Sequence, residues 1–96
     1  MSDTQTVWMI LWQHTLQQGA PRPFEISEAV GEVEKALQVS DRDAERLISA
    51  LLKELERMPE GKQYFRREGN AVVPLPEMSR VAQEPNAELA AYPYEL

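Results

Sequence analysis

The chain contains no cysteine, so disulfides and thiolate metal sites are excluded. That absence suits a reducing compartment. There is one histidine, His14, and a single imidazole does not make a zinc site. Glycine is sparse and scattered at Gly19, Gly31, Gly61 and Gly69, so no glycine-rich loop is available to cradle phosphate. The longest apolar run, Val7 to Trp12, is six residues, whereas a membrane-spanning helix needs about twenty. The opening residues carry Asp3 and no lysine or arginine, unlike a secretory leader. The expectation is a cytoplasmic chain with no membrane span, no metal and no cofactor.

Ninety-six residues suffice for one domain and are too few for two. The net charge of -6 is uneven. Residues 1–56 carry -5, residues 57–74 carry +2, and residues 75–96 carry -3. The field of the whole molecule therefore repels polyanions, and only a local basic patch can oppose it.

Hydrophobic periodicity sets out the elements. A first helix is expected from Thr4 to Gln18, stopped by Gly19 and the prolines Pro21 and Pro23. Trp8, Leu11, Trp12 and Thr15 lie on one stripe and Val7, Ile10, Leu11 and His14 on the next, and so wide a surface predicts burial on more than one side, in the core or in a dimer contact. Pro23 to Ile26 reads as a short extended segment. A second helix over Ser27–Leu37 follows, with Ile26, Ala29, Val30, Val33 and Leu37 on one face. Gly31 within it costs about 1 kcal/mol relative to alanine, which either a close helix contact or a solvent-facing position accommodates. Ser40 is an N-cap with Asp43 three residues on, and Ala44, Leu47, Ile48, Leu51, Leu52 and Leu55 make the third helix's apolar stripe. Only Gln38 to Ser40 separates these two helices, which is helix-turn-helix spacing. Gln63 to Arg67 and Val72-Val73 flank a turn at Gly69-Asn70 and read as a β-hairpin. Pro74 and Pro76 place its second strand at a sheet edge.

Helix, short strand, helix, tight turn, helix and hairpin is an order that resembles the winged-helix superfamily over residues 4–76. The residues that carry it are Phe24-Glu25-Ile26, the Leu37 to Ser40 turn, the helix Ser40 opens, and the Gly69-Asn70 hairpin tip. The expected fold is α+β, mostly α: a three-helix winged-helix-like domain over residues 1–76 with a C-terminal hairpin wing. Residues 77–96 are expected as an acidic, flexible tail. Asn86 to Ala91 can form one helical turn, and the Tyr92-Pro93-Tyr94-Glu95-Leu96 end forms a short binding motif, folds back over the first helix or stays disordered. The resemblance implies that the third helix and the wing contact DNA. Transferred to this chain, the reading face starts at Asp41, Arg42, Asp43, Glu45, Arg46 and Ser49. Its three acids match a helix N-terminus better than a phosphate surface.

Two binding surfaces follow. Lys62, Arg66 and Arg67, with Arg57 nearby and Tyr64 and Phe65 between them, are candidate phosphate contacts. The alternative is a solvated wing with its rings packed inward and its arginines paired to acids. Trp8 and Trp12, together with Asp41 and Glu45, are candidate protein contacts, with a homodimer as one partner and core packing as the competing role of the tryptophans. Neither surface is catalytic. His14 has no acidic or hydroxyl partner in its own segment. Asp41, Asp43 and Glu45 lack the glycine and glutamate a calcium loop requires, since Arg46 and Leu52 stand there. The sequence therefore points to a non-enzymatic binding domain, a protein-interaction or regulatory module first and a DNA-binding regulator second.

Overall fold

Helix α1 (Asp3–Thr15) begins where the Ser2 hydroxyl accepts a hydrogen bond from the Gln5 amide at 3.1 Å. The computed structural model describes residues 2–16 and 19–94. The expected end of this helix at Gln17 and Gln18 lies outside the described residues, as do Glu95 and Leu96 of the C-terminal motif. Strand β1 (Phe24–Glu25) leads directly into α2 (Ile26–Leu37). The helix starts one residue before Ser27 because Glu25 serves as its cap. The Glu25 amide donates to the Glu28 carboxylate at 2.7 Å, one half of a reciprocal capping box. Gln38, in the left-handed region at φ 55°, turns the chain sharply. Ser40 then opens α3 (Asp41–Leu55) by accepting from the Asp43 amide at 3.2 Å.

The apolar faces meet as their spacing requires. Ile26, Ala29 and Val33 of α2 and Ala44, Ile48, Leu51, Leu52 and Leu55 of α3 are buried, and α1 packs across both helices. Each such large aliphatic side chain contributes about 1.5–3 kcal/mol by leaving water. Gly31 lies on the opposite, solvent side of α2, with open space where a Cβ would stand. Its glycine does not mark a close helix contact.

A short 3-10 turn (Glu60–Lys62) precedes the hairpin of β2 (Phe65–Glu68) and β3 (Ala71–Pro74). Gly69, at φ 60°, takes the first position of the two-residue connection, where glycine is the least strained residue. The three antiparallel strands are ordered β1-β3-β2. Strand β3 is thus central, not the sheet edge that Pro74 implied. The sheet tolerates the proline because β1 ends opposite Val72, leaving no β1 partner across from Pro74. The architecture is α+β, with a helical layer and a small sheet ending in a hairpin wing, as the element order predicted.

The chain beyond the hairpin adds two short helices, α4 (Pro76–Val81) and α5 (Ala87–Ala90). Of the three readings open for the C-terminal aromatics, the structure has the fold-back. Met78 is fully buried, Ala87, Ala91 and Tyr92 are also interior, and α5 lies against α1. The Trp8 indole N–H donates to the Glu88 carbonyl at 2.7 Å, so the returning chain satisfies a donor that α1 alone would bury unpaired.

Candidate functional site

Helix α3 presents its outer face beside the hairpin. Arg42, Arg46, Ser49 and Lys53 recur at i, i+4, i+7 and i+11, one line along the helix opposite its buried leucines. The wing meets this line through Arg67. Side chains alternate across a strand, so Arg67 shares a face with Phe65, which is in the core. Its guanidinium reaches α3, with Nη1 donating to the Ser49 hydroxyl at 3.1 Å and Nε donating to the Gly69 carbonyl at 2.9 Å. The result is a cleft of about 450 Å³ lined by Arg46, Ser49, Ala50, Lys53, Glu56 and Arg67. It holds three cations and one carboxylate. Arg46 also lies 3.9 Å from Asp43, but both side chains are largely exposed, and such pairs contribute about 0–1 kcal/mol. An incoming anion can displace that contact at little cost.

The four basic residues singled out in the sequence do not form one patch. Arg66 projects from the opposite face of β2, pairs with Glu68 at 2.7 Å, and lines a different groove with Glu60 and Glu77. Arg57 follows the end of α3, within 3.5 Å of Glu54. Lys62 sits exposed in the 3-10 turn. Only Arg67 joins the α3 line. Tyr64 and Phe65 are buried against Trp8 and Trp12, with ring centroids 5.0–6.1 Å apart, so neither hairpin ring is offered to a base. Lys53 does not stand out in the order of charges along the chain. Projecting residues 41–55 onto a helix places it on the arginine line.

The proposed protein contacts divide as well. Trp8 and Trp12 are 0% and 2% exposed and form the centre of the aromatic core, not a surface. Asp41 and Glu45 remain exposed and line a second groove, of about 580 Å³, with Glu25, Glu34, Val30, Gly31 and Asn70. The Asp41 carboxylate is close enough to hydrogen-bond Glu34, and with partial burial and charge repulsion it holds the Glu34 carboxyl above the usual carboxylate range. His14 finds its partner from outside its segment: Nε2 lies 3.1 Å from the Glu32 carboxylate, and the ring packs 5.0 Å from Phe24. This contact ties α1 to α2.

Among the described residues, no group of three or more histidine, aspartate or glutamate side chains is placed to hold a metal ion. No helix among them is long and apolar enough to cross a membrane. Helices with a small antiparallel sheet are compatible with a winged-helix-like arrangement. No protein-family model, curated protein or solved structure matches this chain, which leaves the chemistry of its surfaces as the guide to function.

Proposed function

We propose that the chain is a non-enzymatic binding domain of winged-helix type that contacts the phosphate backbone of a nucleic acid through α3 and the wing. The observation that carries this reading is the convergence of Arg46, Lys53 and Arg67 around the Ser49 hydroxyl. Guanidinium and ammonium donors around a hydroxyl suit phosphate oxygens, which most protein–nucleic acid hydrogen bonds engage. The net charge of -6 opposes approach from a distance, so the interaction is weak and steeply dependent on salt. Fluorescence anisotropy of a labelled nucleic acid tests it. Arg46→Glu with Lys53→Glu abolishes binding, whereas Arg66→Glu, on the other face of the hairpin, leaves it unchanged. Binding that survives the first pair and fails with Arg66→Glu removes the cleft from consideration.

A second reading, a protein-interaction or regulatory module, draws on the groove between α2 and α3. Asp41, Glu45, Glu25 and Glu34 all line it, and the raised Glu34 carboxyl marks crowded negative charge that a basic segment would relieve. A lysine-rich peptide bound by the native chain, and lost on Asp41→Lys with Glu45→Lys, supports this reading.

A further inference from the structure

From the distribution of charge around α3 we infer that the favoured ligand is a single-stranded nucleic acid, held as one row of phosphates, and not a duplex entered through its major groove. This rests on the phosphate-binding reading and narrows it.

A helix with side chains is about 10–12 Å across, and the major groove is about 12 Å wide. A helix seated there turns its outermost line to the bases and its two flanks to the two phosphate rows. On α3 the outermost line is Arg42, Arg46, Ser49 and Lys53, and both flanks are acidic. At 3.6 residues per turn, Asp43 and Glu54 lie on one side and Asp41 and Glu45 on the other, each about 70–110° round the axis from the basic line. All four are exposed. A duplex would thus set two phosphate rows against two carboxylate rows, the reverse of what groove insertion needs.

One strand meets a different surface. The line from Arg42 to Lys53 runs about 16 Å along the helix, and Arg67 extends it onto the wing beside Ser49. A strand laid along it touches about four cations, with Glu56 the one carboxylate lining the same cleft and Asp41, Asp43, Glu45 and Glu54 displaced to either side. Since Tyr64 and Phe65 are interior, the hairpin supplies no stacking platform. Phosphate contacts therefore dominate, and base sequence has little influence.

The test compares the intact chain binding labelled oligothymidylate and a random duplex of equal phosphate number. The single strand binds about tenfold tighter or more. With about four phosphates neutralised, its affinity falls about 50-fold as salt rises from about 50 to about 200 mM. Neutralising the flanks with Asp43→Asn, Glu45→Gln and Glu54→Gln raises duplex affinity towards that of the single strand, and circular dichroism checks that the helices persist. Equal or tighter duplex binding by the native chain overturns this inference while leaving phosphate binding intact. Failure of both nucleic acids to bind at about 50 mM salt overturns both. Equal competition by polyglutamate of matched charge shows an acidic-peptide surface and likewise overturns both.

Discussion

Helices α1 and α3 each carry a functional-looking line at helical spacing, and the fold treats the two oppositely. On α1 the line is Trp8, Leu11 and Trp12; it is roofed by Phe65, Tyr64 and the returning chain at Tyr92. On α3 the line is Arg42, Arg46, Ser49 and Lys53; it stays at the surface and gains only Arg67 from the wing. Apolar area left in water costs roughly 25 cal/mol per Å², so the aromatic line collects cover from distant segments. The cationic line would lose hydration on burial and stays wet. A conspicuous stripe is therefore a candidate interface only when its own chain supplies nothing to cover it.

The sharpest break of this contrast is Trp8→Ala, which removes the centre of the covered line. Large aromatic truncations in cores cost about 3–5 kcal/mol, and urea unfolding measures the loss. Arg46→Ala, on the open line, stays within about 0.5 kcal/mol of the native chain in the same assay. A more selective change is Trp8→Phe, which keeps a ring but removes the donor to the Glu88 carbonyl. Leaving that group unpaired costs about 1–3 kcal/mol, and amide exchange over residues 87–92 should rise more than exchange over α3. If exchange rises equally everywhere, the indole hydrogen bond is not what fastens the C-terminal segment.

The smallest expected effect lies beside the open line, in the acidic groove. Asp41 raises the Glu34 carboxyl in the folded chain, so ionised Glu34 is disfavoured by folding. That cost is present at neutral pH and disappears as pH falls below the ordinary carboxylate range, because a group with a raised folded-state value is then protonated in both states. Glu34→Gln therefore raises the melting temperature slightly at neutral pH, and the difference from the native chain closes on acidification. A gap that widens at low pH contradicts the carboxylate crowding.

Much of the helical layer was legible in the residues. Ser40 as cap, the α2 and α3 apolar faces and the glycine at the hairpin tip are local signals, each fixed by spacing within a few positions. Strand order was not, since Pro74 reads as an edge residue until the short reach of β1 is known. The role of residues 76–94 was also hidden. Their apolar content is small and alanine-rich, and their partner is an indole about eighty positions away, at Trp8. The candidate site was half legible: helical projection alone aligns Arg42, Arg46 and Lys53, but no local pattern brings Arg67 to Ser49.

By itself the order of amino acids determined α2 and α3 to within a residue or so, the Ser40 cap, the hairpin and the lack of thiol chemistry, because those depend on neighbours a turn or two away. Tertiary structure alone decided which lines were covered, that Arg66 and Arg67 part company across β2, and that the C-terminal segment closes over α1. Those outcomes depend on contacts between residues distant in the chain, where packing and the satisfaction of buried polar groups choose among arrangements that local spacing leaves equally open.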